Sequence, residues 1–155
     1  MAVFAYIGLG SNLGDRRAMI ADALERLKPR RVSAVVETAP WGRVDQPAFL
    51  NAVAEIETDL EPAALLDRLL DLERGLGRVR HEKWGPRSID LDLLLYGDRQ
   101  VRSQSLSVPH PHLHERRFVL EGLAELCPDR TVPGLDVTVR ELLQSCSAER
   151  EGEVP

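Results

Sequence analysis

The sequence predicts an α+β domain built on an antiparallel sheet, and three observations carry that expectation. Four stretches have the alternating or continuously apolar pattern of strands. Two longer stretches repeat apolar residues at helical spacing, and the six segments follow in the order β-α-β-β-α-β. Finally, the connection between the second and third strands, TAPWGRVDQPA at residues 38–48, holds two prolines and a glycine and cannot be a crossover helix.

Each element has its own justification. Val3 to Leu9 is a short apolar run closed by Gly10 and Ser11, which suits a first strand. From Asp15 to Lys28, Ile20, Leu24 and Leu27 recur at helical spacing, and Pro29 stands just past the end. Val32 to Glu37 is β-branched and reads as the second strand. In Phe49 to Thr58, Phe49, Asn51 and Val53 share one face while Leu50, Ala52, Ala54 and Ile56 share the other. Glu61 to Leu76 carries Pro62 in its first turn and leucines at 65, 66, 69, 72 and 76, which makes a second helix. Asp90 to Tyr96 is the fourth strand. This is the ferredoxin-like arrangement. Leu113 to Leu126 then reads as a further helix, Pro133-Gly134 as the turn of a small hairpin, and Thr138 with Glu141 as a capping box for a last helix, Val139 to Ser145. Residues 1–147 are expected to form a single domain, with 148–155 a polar, disordered tail.

Composition excludes several classes. With 155 residues, 43% hydrophobic and 29% charged, the chain is long enough for a core of its own. No apolar run approaches a membrane span, and the opening stretch lacks a basic leader, so a cytoplasmic protein without a membrane is expected. Cys127 and Cys146 are then expected as reduced thiols. A net charge of −5 argues against nucleic acid as a partner.

The strand IDLDLLLY raises the functional question, because it sets Asp90 and Asp92 on one face of an apolar run. The other face collects Ile89, Leu91, Leu93 and Leu95 as a core row. Two carboxylates so close repel each other unless cations neutralise them. The preceding stretch, GRVRHEKWGPRSI, is basic, with Arg78, Arg80, Lys83 and Arg87 against Glu82. Cations for phosphate oxygens beside carboxylates for Mg²⁺ are what a nucleoside triphosphate requires. Trp41 and Trp84 lie in Gly/Pro loops, where flat rings can cover a flat ligand. GLGSNLG has the spacing G-x-G-x-x-x-G, looser than a dinucleotide fingerprint, and reads as a tight strand-to-helix turn. The HPHLH run offers a rival: His110 and His112 with Asp90 and Asp92 could hold a metal for hydrolysis.

Four segments, AYIGLGSNLGDR, TAPWGRVDQPAFLNAV, ERGLGRVRHEKWGPRSIDLDLLLYG and VPHPHLHERRFVL, resemble the 6-hydroxymethyl-7,8-dihydropterin pyrophosphokinases of folate biosynthesis. The likeness implies transfer of pyrophosphate from ATP to a hydroxymethyl dihydropterin by a monomer whose partners are small molecules, with two Mg²⁺ ions. By position it implies that Asp90 and Asp92 bind the metals and that Arg78 and Arg87 are catalytic. It implies ATP contacts from Glu73, Arg78, Trp84, Arg87, Leu93, Ser107, His110 and Arg116. Phe49 and Phe118 would sandwich the pterin, with Thr38, Gly42, Arg43, Val44, Asn51, Trp84 and Asp90 completing its pocket.

Overall fold

The computed structural model describes residues 2–12, 14–38, 48–76 and 89–146. The chain runs β1 (Val3–Ser11), α1 (Arg16–Leu27), β2 (Arg31–Val32), β3 (Val36–Thr38), β4 (Phe49–Thr58), α2 (Pro62–Gly75) and β5 (Asp90–Tyr96). After these come β6 (Val101–Arg102), β7 (Ser107–Val108), α3 (Arg117–Leu126), β8 (Thr131–Val132), β9 (Val137–Thr138) and α4 (Val139–Ser145). The main sheet has the order β2-β4-β1-β5, with β3 also on β4, and every pairing is antiparallel. This is the ferredoxin-like order. No helix among the described residues is long and apolar enough to cross a membrane.

The predicted second strand is interrupted. Val32 pairs with Ala54 and Val36 with Asn51, so four steps on one side face three on β4, and one residue is extra. Ser33 fills the break: its N–H donates to Val53 O and its Oγ accepts from Val53 N, each at 2.8 Å. A second bulge lies in β5, where Tyr6 pairs with Leu95 but Ile7 with Leu93. It overturns the expected apolar row. Ile89, Leu91 and Leu93 pack beneath α1 and α2, but past the bulge Leu95 joins Leu94 on the opposite face and Tyr96 takes its place.

Helices therefore cover both faces of the sheet. α1 and α2 pack on one core, with Ile7, Leu9, Leu65 and Leu69. The other core holds Tyr6, Val53, Leu94 and Leu95 under α3 and α4. The helix expected over Leu113–Leu126 is a 3-10 turn (Leu113–Glu115) followed by α3, because Arg116 is extended and breaks the helical path. The Thr138–Glu141 capping box forms as predicted. The glycine turn is confined to Gly14, at φ +70°; Gly8 and Gly10 lie inside β1. Both cysteines are free thiols.

A buried ion-pair network pins the far end of the same face. Glu55 is 1% exposed; it accepts from Tyr6 Oη at 2.6 Å, from Arg31 at 3.1 and 2.9 Å and from Arg30 at 3.4 Å. The Arg31 guanidinium holds its carboxyl below the usual range against the opposing effect of burial. Arg31 also donates to Leu126 O, which ties the C-terminus of α3 to the sheet.

Close packing of α3 rests on Gly122. A Cβ there would lie 2.5 Å from Val53 Cγ2, and Val53 is buried and β-branched, so it cannot turn aside. Alanine in a helix normally gains roughly 1 kcal/mol over glycine. Overpacking costs about 1–3 kcal/mol and outweighs that gain. Gly122→Ala is therefore expected to lower the urea midpoint; an unchanged or raised midpoint would contradict the packing.

Candidate active site

The antiparallel register sets the site as two rows across the sheet. Gly10 pairs with Asp90 on one side and Asn51 on the other, and Gly8 pairs with Asp92 and Val53. Asp90, Asp92 and Asn51 thus share the face that α3 covers only lower down. Both aspartates are half-buried. With strands about 4.8 Å apart, the backbones of Asp90 and Asn51 are separated by roughly 10 Å. Between them lies bare glycine backbone.

The Asn51 side of the site is ordered by hydrogen bonding. Asn51 is 9% exposed, and its Nδ2 donates to Thr38 Oγ1 at 2.6 Å. That bond leaves its Oδ1 over Gly10, where an added Cβ would lie 3.1 Å from Oδ1 and 3.6 Å from Phe49 Cδ1. Phe49 pairs with Thr38 across the ladder and is half-buried. Phe118 stands in the first turn of α3 and packs against the core of that face. An aromatic, an amide and a hydroxyl are so gathered on one side of Gly10.

The other side follows the outer edge of β5. An edge strand exposes unpaired backbone groups. Glu73, 4% exposed near the end of α2, accepts from Leu91 N at 2.7 Å, midway between the two aspartates. His110 N donates to Leu94 O at 3.0 Å on the same strand. The edge is thereby covered, and β5 is held rigid where its carboxylates project. β7, which carries Ser107, also lies against β5. The Leu93 side chain is buried beneath α1 and α2, on the opposite face from the two aspartates.

His110 has a defined tautomer. Its Nδ1 accepts from His112 N at 3.1 Å, so the ring proton sits on Nε2, which becomes a donor. Burial, then the nearby Arg116 and His112, hold its pKa down to about 4. The ring is a neutral donor at pH 7, not a cation. His112 turns to Glu115, 3.1 Å from its Nδ1. Among the described residues no three His, Cys, Asp or Glu side chains are grouped to hold a metal ion, so the histidine-metal hydrolase reading gains no support. Gly42, Arg43, Val44, Arg78, Trp84 and Arg87 lie outside the described residues.

Residues 6–128 match the family model for 7,8-dihydro-6-hydroxymethylpterin-pyrophosphokinase. The chain belongs to that family. A Methylorubrum extorquens 2-amino-4-hydroxy-6-hydroxymethyldihydropteridine pyrophosphokinase is 50% identical over 145 residues, covering 90% of each chain. The enzyme of that name from Pseudomonas aeruginosa is 44% identical over 156 residues, 97% of this chain and 96% of its own. A solved Plasmodium falciparum HPPK-DHPS structure with pteroate superposes with a TM-score of 0.75 at 15% identity. It matches 99% of this chain, which spans 44% of that longer one, and supports the fold alone.

Sequence reasoning missed two features around this site. Glu55 shares a sheet face with Asn51 but belongs to the structural network, and only its partners, Arg31 and Arg30, reveal that. Arg16, in GSNLGDR, reaches across to both ends of the 38–48 connection. Its one signal in the sequence is a cation at a helix start, where the dipole disfavours it.

Because native His110 is neutral down to about pH 4 while the unfolded ring protonates near 6.5, the unfolded state binds the extra proton between those values. The stability this group contributes is present above pH 6.5 and lost as pH falls toward 4. An NMR titration should show no His110 inflexion between pH 5.5 and 8; an inflexion near 6.5 would refute the neutral donor.

Proposed function

We propose that this pyrophosphokinase transfers the β,γ-pyrophosphoryl group of ATP to the hydroxymethyl oxygen of 6-hydroxymethyl-7,8-dihydropterin, giving AMP and the pterin diphosphate in folate biosynthesis. The observation that carries the reading is the row Asp90–Gly10–Asn51, which joins a carboxylate pair to a ring-binding group across bare backbone. The family membership supplies the reaction class.

The chemistry asks for positioning and charge stabilisation more than for covalent participation. The pterin alcohol attacks the β-phosphorus, the bond from that phosphorus to the α–β bridging oxygen breaks, and AMP leaves with that oxygen. The hydroxyl proton passes to solvent. Phe49 and Phe118 would hold the planar ring, and Asn51, oriented by Thr38, would accept a hydrogen bond from the N–H edge of the pterin. His110 would donate its Nε2–H to a phosphate oxygen, and Arg116 would add charge beside it. Glu73 keeps the β5 backbone fixed between the two aspartates. Arg78, Arg87 and Trp84 complete this proposal as triphosphate contacts and cover, with Gly42, Arg43 and Val44 at the pterin and Ser107 and the Leu93 main chain beside ATP.

Asp90 and Asp92 fit Mg²⁺: they are two hard oxygen donors on one half-buried face of β5. Two such ions, when bound, would neutralise the triphosphate and lower the pKa of the attacking hydroxyl. With helices of the chain packed on both faces of the sheet, we read the protein as a monomer, and with its place in folate biosynthesis as cytoplasmic.

The direct test is AMP formation from ATP and Mg²⁺ with and without the hydroxymethyl dihydropterin; AMP release that ignores the pterin would sink the reading. Chelation should abolish turnover and added Mg²⁺ restore it. Asp92→Ala is expected to cut kcat by two or more orders of magnitude with the thermal melt preserved. Near-normal turnover of that variant at saturating Mg²⁺ would refute the metal role.

A further inference from the structure

We infer that Arg16 is a positioning residue for the pterin half of the site, because one guanidinium ties both stems of the connection between Thr38 and Phe49. The inference rests on the function proposed above. Arg16 opens α1, and its Nη1 donates to Glu37 Oε2 at 3.0 Å and to Ala48 O at 2.7 Å. Glu37 immediately precedes Thr38, and Ala48 immediately precedes Phe49. Arg16 therefore reaches one residue short of each ring-facing side chain, from a third element.

Local energetics do not explain an arginine at this position. A cation in the first turn faces the positive end of the helix dipole, and α1 has no acid in that turn. What it gains must come from distant partners. Its side chain is 29% exposed against 59% for Glu37, so the guanidinium is the more sheltered partner. An exposed ion pair alone contributes little. Here the second acceptor is a backbone carbonyl just outside β4, and satisfying it fixes where the chain enters the strand.

The helix end that presents Arg16 is itself held. Asp15 caps it, its Oδ1 accepting from Ala18 N at 3.1 Å, and its carbonyl accepts from Met19 N at 3.0 Å. The target is the place where fraying starts: Thr38 and Phe49 are the last pair of the β3–β4 ladder. Looseness there passes to Asn51 through its bond to Thr38 Oγ1. It does not pass to the β5 edge, where Glu73 and His110 hold the other half. Loss of Arg16 should thus act on one substrate and spare the other.

Steady-state AMP formation and urea midpoints of the full chain test this. Arg16→Ala is expected to raise KM for the hydroxymethyl dihydropterin about five- to tenfold, with KM for ATP and kcat changed less than about twofold. Arg16→Lys keeps the charge but not the planar Nη1 amino group that reaches both acceptors, and should fall between Arg16→Ala and wild type. A double variant with Thr38→Val should show less than additive loss, since both act through Asn51. A lowered midpoint with pterin KM unchanged would make Arg16 a helix anchor only and overturn the inference. Equal rises in both KM values would overturn it too. Wild-type chain that forms no AMP with the pterin overturns the functional reading and this inference together; an active wild type without the split overturns this inference alone.

Discussion

Gly10 of β1 pairs with Asp90 on one flank and Asn51 on the other, and this row of the ladder decides what the rest of the structure can do. Because side chains alternate, a one-residue slip of β5 would turn Asp90 and Asp92 into the core beneath α1 and α2 and bring Leu91 and Leu93 out. Burying two carboxylates among Ile7, Leu9 and Leu65 would be prohibitive without cations. The apolar face therefore enforces the register, and the register places the polar residues. Packing on one side of the sheet specifies chemistry on the other.

That constraint also divides the site. Among the described residues, those proposed to read a flat ring lie on β3, β4 and the start of α3, while those proposed for a polyphosphate lie along β5 and its outer edge. The edge is a liability in most sheets. Here Glu73 and His110 cover it with side-chain and main-chain contacts, so the residues that protect the strand also border the side proposed for phosphate. The glycines of β1 are the seam between the halves, and at Gly10 the close approach of Asn51 Oδ1 and Phe49 shows why no side chain stands there.

What could be read from sequence divides along the same physical line. Phe49–Thr58, Asp90–Tyr96 and the Thr138 capping box were legible to the residue, because alternation and caps are local. The pairing of Asp90 with Asp92 on one face followed from the same alternation. The bulges at Ser33 and Leu94 were not legible, since an extra residue is defined only against a partner strand. Consequently the predicted apolar row failed at Leu95 and the second strand appeared whole. Arg16 reaches partners 21 and 32 residues away, and the break at Arg116 depends on how α3 docks, so neither leaves a periodic trace.

The same face carries three buried or half-buried acids in apolar strands, Glu55, Asp90 and Asp92, and comparing them shows why an acid in such a strand is an incomplete sign of a site. Glu55 pairs with Tyr6, at the end of the sheet that α3 and its following turn close over. It is sealed, and Arg31, Arg30 and Tyr6 neutralise it from within the protein. Removing one partner from so buried a charge costs about 3–5 kcal/mol, which commits the group to stability. Asp90 and Asp92 stand at the other end, half-buried and opposite glycines. Burial depth and the size of the facing residues, not the acid itself, separate the structural role of Glu55 from the one proposed for Asp90 and Asp92. Both follow from where β1 puts tyrosine and where it puts glycine: Tyr6 reaches Glu55 with its hydroxyl, whereas Gly8 and Gly10, closely approached by Leu94 and Asn51, set no side chain of β1 beside the aspartates.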